Sequence, residues 1–469
     1  MARIFLLTCY KGEKTYQVSP PLGLLYIAAA LREAGHTVAI HDTHVYRHNP
    51  DEAVRAATAF SPEIVGLSAV HREIESARTI ARGIHKGAPS IPIVIGGPAV
   101  LSGIDLIAGI DEIDYAVYRE GEAAFLSLIE RIGTGSNEPI PGIYHRRGTE
   151  MVLEQPAELL PNLDTLLFPA WDLCDIPAYH RAPRHGFLYK HRAYFTVQTS
   201  RGCPYRCSFC QNHFGRKWRA RSAESVLAEI DRLVTNHGID EIHFPDDCFN
   251  IDKKRALEIF RGIASMPKKI AIAFPAGLRG DLVDEEFLDA AKAAGVYRIP
   301  FGIETAVPRL QKMLDKHVDL DHMSKIVAAA ADRGIVTQGF FMLGFPTETG
   351  EEIRRTIDYA VSSRLHLASF NWVNPLPQTR LYEQAKALGF PVDTIAPEQY
   401  DFDDPPVALS EVPRENLQKI GASANVRFYL DPVRLWRIVV ALPNKAQLGI
   451  FVLHFLRKVY FNLRSRRGR

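Results

Sequence analysis

Two periods of apolar residues take turns along the first 130 positions of this chain. Short apolar runs at residues 4–8, 37–41, 64–68, 91–95 and 115–117 have the length and β-branched content of buried strands. Between them, residues 22–34, 53–59, 74–85 and 123–132 place apolar side chains at helical spacing. Strands alternating with helices predict a doubly wound α/β fold on a parallel sheet, with ligands expected at the carboxyl ends of its strands.

The rhythm lapses over residues 139–193, which are punctuated by Pro141, Pro156, Pro161, Pro169 and Pro177, with a short hairpin expected near 142–153. It then resumes. Strands are expected at 194–199, 241–244, 270–274, 298–303, 336–343 and 367–373, and helices at 223–236, 254–263, 285–294, 323–333 and 351–363. Six βα units predict a partial barrel, (β/α)6, smaller than the usual eight-fold one. The expected parts are therefore a first α/β domain over 1–138, a connector over 139–193, a barrel over 194–388 and a small, mainly helical region over 389–469.

Composition adds little until it is read by position. Apolar residues at 46% and charged residues at 23% are those of a globular protein, and the net charge is only +2. From Arg427 to the end, however, ten Lys or Arg face one acid, Asp431, giving +9 and leaving −7 for the remainder. A basic tail on a mildly acidic body suits contact with an anionic surface or a solvated terminus. Leu448, Phe451, Val452, Phe455 and Val459 fall at helical spacing within 446–463, so that helix would either lie on a membrane or pack on its own domain. No apolar run reaches the roughly 18–20 residues of a spanning helix, and the apolar start is too short for a signal peptide. The expectation is a cytoplasmic protein with peripheral membrane contact through its tail and no nucleic-acid partner.

Chemistry enters with the cysteines. Six in 469 residues is too sparse for a disulfide scaffold, yet Cys203, Cys207 and Cys210 crowd into one loop, Thr199-Ser-Arg-Gly-Cys203-Pro-Tyr-Arg-Cys207-Ser-Phe-Cys210. Three thiolates bind three irons of a 4Fe-4S cubane and leave the fourth open for a ligand. Cys248 follows a different strand and reads as an ordinary buried cysteine. Zinc is the bland alternative: His213 would have to complete a Cys3His set, and no second CxxC knuckle is present.

The spacing Cys203-x3-Cys207-x2-Cys210, with Phe209 before the last cysteine, resembles the signature of the radical S-adenosylmethionine (SAM) enzymes. The resemblance implies that these cysteines hold a 4Fe-4S cluster whose open iron is chelated by SAM, and that electron transfer then yields a 5′-deoxyadenosyl radical. It places Asp246 and Asp247 at the SAM amino group, Glu304 in Gly302-Ile-Glu304-Thr at the ribose and methionyl portions, and Phe209 and Gly339 in the SAM site. Gly339-Phe-Phe-Met-Leu-Gly-Phe-Pro-Thr-Glu348-Thr and Pro375-Leu-Pro-Gln-Thr379 resemble the family's later motifs. Each acid has a second reading: the aspartates as caps of a turn, Glu304 as a partner of Arg279 or Arg298. Reduced flavodoxin or ferredoxin is the implied electron donor.

The first domain resembles the Rossmann-like cobalamin-binding domain fused ahead of many such barrels. The motifs are Ser19-Pro-Pro-Leu-Gly-Leu-Leu-Tyr, Gly66-Leu-Ser68-Ala, Ile95-Gly96-Gly97-Pro98 and Arg119-Glu-Gly121-Glu122. They imply cobalamin contacts at Ser68, Gly96, Gly97 and Glu122. The axial-histidine motif is incomplete, Asp42-Thr-His44-Val-Tyr-Arg47 with Arg for Gly, so His44 is a candidate cobalt ligand in a departure from the pattern. Three functions follow. The chain would be a cobalamin-dependent methyltransferase acting on an unactivated carbon of a small-molecule, lipid or pigment substrate. It would otherwise be a cobalamin-binding cyclase or rearrangement enzyme without methyl transfer, or a non-catalytic cobalamin or cluster carrier.

Overall fold

The computed structural model describes residues 1–10, 18–182, 188–400, 406–445 and 448–449. Its first sheet holds β1 (Arg3–Thr8), β2 (Thr37–His41), β3 (Ile64–Ser68), β4 (Ile93–Gly96), β5 (Tyr115–Val117), β6 (Ile143–Arg147) and β7 (Glu150–Leu153), ordered β2-β1-β3-β4-β5-β6-β7. The first five strands are parallel. Alternate side chains along them bury against opposite helix layers, which is why the runs are apolar throughout. Phe5, Leu7, Ile93 and Ile95 meet the helices Pro50–Phe60 and Ile74–Gly87. Ile4, Leu6 and Val94 meet Leu22–Glu33 and Glu122–Thr134.

Two features differ from the sequence expectation. The hairpin read within the connector is β6–β7, and it extends the first sheet through Val117 opposite Ile143. The helix Pro98–Ala108 was not anticipated, because Ala99-Val-Leu-Ser-Gly-Ile-Asp-Leu-Ile is apolar with no clear period. It breaks at Gly103, where a Cβ would lie 2.6 Å from Ile74 Cδ1.

The second sheet contains β8 (Tyr194–Thr196), β11 (Glu241–His243), β12 (Ala271–Ala273), β13 (Val296–Glu304), β14 (Val336–Leu343) and β15 (Leu367–Trp372), all parallel and adjacent in chain order. Between β8 and β11 lies a separate antiparallel ladder of β9 (Ser200–Arg201) and β10 (Arg219–Ala220). The helices Ala223–His237, Lys253–Ser265, Glu285–Ala293, Leu320–Asp332 and Gly350–Ser362 join successive strands. Each starts where a side chain caps it: Ser222, Asp252, Asp284, Asp319 and Thr349 all accept from first-turn amides.

The helices Arg414–Tyr429 and Pro432–Ala441 close one side of this partial barrel. Tyr429 Oη accepts from Ala368 N at 3.1 Å and donates to Ala368 O at 3.0 Å. Gly421 packs on Trp372, where a Cβ would come within 2.8 Å of the ring. The helix expected over 446–463 lies almost wholly outside the described residues. Among those described, no helix is long and apolar enough to cross a membrane.

Candidate active site

The cysteines sit on the loop between β9 and β10. Gly202 makes the entry possible at φ 83°, since a Cβ there would lie 2.5 Å from Lys217 O and 2.8 Å from Gly215 O. Inside the loop, Cys203 N donates to Gly215 O at 3.2 Å, Cys210 N to Cys207 O at 3.2 Å and Asn212 Nδ2 to Cys203 O at 2.9 Å. Outside contacts fix it to the barrel: Ser208 N donates to Leu314 O, Leu381 N to Ser208 O, and Gln211 Nε2 to Pro377 O at 2.8 Å. Cys207 is buried, Cys203 half-buried and Cys210 exposed. Cys248, read as an ordinary buried cysteine, does touch the triad. Its thiol interacts with that of Cys203 and draws the Cys203 thiol below its ordinary value.

The two neighbouring aspartates separate. Asp246 is buried and committed, accepting from Thr199 N at 2.7 Å, from the Thr199 hydroxyl and from Ser200 N at 3.2 Å. It straps β11 to the strand entering the loop, whereas Asp247, the other acid expected near SAM, is exposed. Glu304 pairs with neither Arg279 nor Arg298 but with Lys316 Nζ, at 3.0 Å. A bulge at Gly302/Glu304 and a φ of 64° turn Glu304 toward it. Gly302 leaves room beside the pair: its Cβ would stand 2.8 Å from Glu304 Oε1 and 3.0 Å from Lys316 Nζ. Lys316 Nζ also lies 5.9 Å from the Phe209 ring, which packs against the apolar cluster containing Val307, Leu310 and Phe345. Gly339 lies on β14 between Gln338 and Phe340. A Cβ there would meet Leu365 and Phe341 at 2.6 Å each, which makes it a close-packing position against the helix layer.

At the first sheet, Ser68 and Gly96 are register partners at the carboxyl ends of β3 and β4. Gly97 follows at φ 87°, its Cβ position 2.8 Å from Ala69 O and 3.2 Å from Ser68 Oγ. Two expected cobalamin residues are engaged elsewhere. Glu122 accepts from Arg201 Nη2 at 2.5 Å, across to the cysteine loop. Its whole motif points that way: Glu120 binds Arg219 at 2.7 and 3.0 Å, and Arg119 Nη1 donates to Asn212 O and His213 O. Arg201, only 3% exposed, also lies over the Tyr26 and Phe214 rings. His44 has both ring nitrogens occupied, Nε2 by Glu73 at 2.7 Å and Nδ1 by Asp42 at 3.2 Å. Cobalt ligation through Nε2 would require breaking the Glu73 contact.

Residues 197–360 match the model of the Radical SAM superfamily, and residues 12–129 match that of the B12 binding domain. Over 417 residues the chain is 32% identical to an uncharacterized methyltransferase, PH0819, of Pyrococcus horikoshii, covering 88% of each. The chain belongs to the radical SAM superfamily, in its B12-binding branch. It is 26% identical to the anaerobic magnesium-protoporphyrin IX monomethyl ester cyclase of Rubrivivax gelatinosus, over 88% of this chain and 74% of the cyclase. Its fold matches that of the radical SAM methyltransferase TsrM from Kitasatospora setae with a TM-score of 0.70 at 21% identity, covering 83% of this chain and 76% of TsrM.

A radical SAM protein of this branch uses a 4Fe-4S cluster, SAM and cobalamin, and the residues present fit all three. Three thiols stand on one loop; burial raises Cys207, with Lys316 and Arg279 beside it opposing that rise in part. Among the described residues no three His, Cys, Asp or Glu side chains are placed to hold a single metal ion. A cubane takes its thiolates on separate irons, which three cysteines on one loop can supply. Ser68, Gly96 and Gly97 put small residues at the carboxyl ends of β3 and β4, which fits the close backbone approach of a corrin. The radical SAM site also contains residues that sequence reasoning passed over. Lys316 carried no motif. Gln338 and Phe340 alternate with the helix-packed Gly339 and Phe341, and with Ser369 and Asn371 they form a half-exposed wall where Gln338 Nε2 donates to Ser369 Oγ at 3.0 Å. The period-2 pattern of β14 and β15 was the available signal.

Proposed function

We propose that this radical SAM enzyme is a cobalamin-dependent methyltransferase acting on an unactivated carbon of a small-molecule, lipid or pigment substrate. The observation that carries this reading is the contact between Arg119–Glu122 and the cysteine loop, which fixes the cobalamin-binding domain directly against the cluster-bearing one. When bound, the cluster supplies the electron that opens SAM, and cobalamin supplies the methyl carrier. Cys203, Cys207 and Cys210 hold the cluster and leave one iron for SAM. Asp247 receives the SAM amino group, Lys316 its carboxylate, and Glu304, oriented by Lys316, the ribose side, with Phe209 packed beneath. Ser68, Gly96 and Gly97 line the corrin site. The wall of Gln338, Phe340, Ser369 and Asn371 faces the substrate. Reduced flavodoxin or ferredoxin delivers the electron in the cytoplasm.

Oxidative ring cyclisation on the same cofactors is the second reading, supported by the extent of the match to the Rubrivivax cyclase. One assay separates them. The anaerobically reconstituted protein is reduced and supplied with SAM and candidate substrates, and 5′-deoxyadenosine and S-adenosylhomocysteine are measured. Both products with a methylated substrate support methyl transfer. Deoxyadenosine alone, with substrate consumed, supports cyclisation. Neither product from cluster-loaded protein would overturn both readings in favour of a carrier.

A further inference from the structure

The helix Pro432–Ala441 is apolar on two sides. Ile438 and Leu442, joined by Leu435, pack into the layer around the barrel. On the other side, Val433, Trp436 and Val440 are 65%, 69% and 58% exposed. Their i, i+3, i+7 spacing puts them in one stripe. A helix apolar all round is ordinarily covered on both sides, and Trp436 is far larger than solubility would favour at such exposure.

The charge around the stripe selects what covers it. Asp431, the one acid from there to the end of the chain, caps the helix N-terminus. Arg437 shares the stripe's spacing and is half-buried, its Nε shielded from solvent. Arg434 is wholly buried over the Phe428 ring at 3.6 Å and, among the described residues, donates to the carbonyls of Phe428, Val361 and Ser363, so its charge is enclosed rather than presented on the stripe. Beyond Lys445 the sequence adds six Lys or Arg and no Asp or Glu. A second copy of the chain would bring the same positive charge to the contact, and so would the chain's own terminal residues; like charges oppose both. An anionic bilayer surface complements both parts, with aliphatic and indole side chains entering the interface and basic ones meeting the headgroups.

We propose that the face of the helix Pro432–Ala441 centred on Trp436 docks on an anionic lipid surface, the helix lying in its plane. Ten residues are too few to span a bilayer. This stands apart from the reaction, since no residue of the face belongs to the cysteine loop or the corrin site.

The test uses the full chain with vesicles of phosphatidylcholine and of phosphatidylcholine mixed with phosphatidylglycerol. Co-sedimentation is expected with the anionic vesicles only and to weaken with salt. The combined variant Val433→Ser, Trp436→Ser, Val440→Ser, all at exposed positions, is expected to lower binding about tenfold or more. Brominated acyl chains are expected to quench the wild-type fluorescence and not that of Trp436→Phe, which still binds. Equal binding by wild type and the combined variant would overturn the proposal. So would a wild-type dimer that the combined variant converts to monomer without any vesicle binding, since that assigns the face to a second copy.

Discussion

The carboxylate of Asp246 holds Thr199 twice, through its amide at 2.7 Å and through its hydroxyl. Asp247, the next residue, is exposed beside the same loop. Adjacent and chemically identical, the two acids should fail differently. Asp246→Ala strands two amides and a hydroxyl and is expected to cost about 2–3 kcal/mol, with less iron retained after reconstitution. Asp247→Asn should leave thermal melting and iron content unchanged while weakening SAM binding. Melting curves, iron assays and SAM titration distinguish the pair.

Arg201 is expected to be sensitive to its partners across the domain boundary. Removing Glu122 leaves a buried guanidinium with the neutral Gln198 Oε1 at 3.0 Å and the Glu120 carboxylate at 3.5 Å. Glu122→Ala should destabilise the protein by about 3 kcal/mol. Single-turnover methyl transfer should slow more than deoxyadenosine formation, because the change loosens one domain against the other and leaves the cysteine loop's own contacts in place. Equal slowing of both would argue against that division.

His44 is held protonated, its hydrogen bonds to Asp42 and Glu73 outweighing burial and raising it to about 10 from an ordinary 6.5. A raised folded value favours the protonated fold. The stabilisation is therefore complete below pH 6.5 and lost as pH rises through about 10. His44→Gln should lower the denaturation midpoint at pH 7 and matter little above pH 10. Its corrin absorbance after loading with hydroxocobalamin and desalting should match wild type; loss of that absorbance would restore His44 as a cobalt ligand.

Glu348 moves in the same direction with pH from a different cause, a charged form that burial disfavours. Burial lifts it to about 7, against hydrogen bonds from the amides of Phe345 and Gly344. The proton is bound more tightly in the folded state, so stability declines as pH rises from about 4.5 through 7. Glu348→Gln should flatten that decline, with little change at pH 4.5 and a higher melting temperature at pH 8.

Most strands were legible because parallel strands buried on both faces are continuous apolar runs, and helix starts because Ser222, Asp252 and Thr349 are caps a reader can see. The helix Pro98–Ala108 was not, for its apolar residues mark no single face. At the site, three thiols within eight positions spoke for themselves. The pairings did not: Arg201 and Glu122 stand 79 residues apart and His44 and Glu73 stand 29 apart, so only the fold brings them together. Asp246 and Asp247 could not be told apart, since the direction in which each leaves the end of β11 is a property of the strand rather than of the residue type.

Arg201 and Arg219 reach Glu122 and Glu120 through side chains that belong to different domains. A barrel joined to a borrowed cobalamin-binding domain would keep both arginines and meet whatever that donor carries at the two acid positions. Grafts that move one half alone would inherit buried, unmatched charge. The two halves of this enzyme are thus a fitted set rather than interchangeable cassettes, and chimeras built from it should be cut so that both arginines and both glutamates travel together.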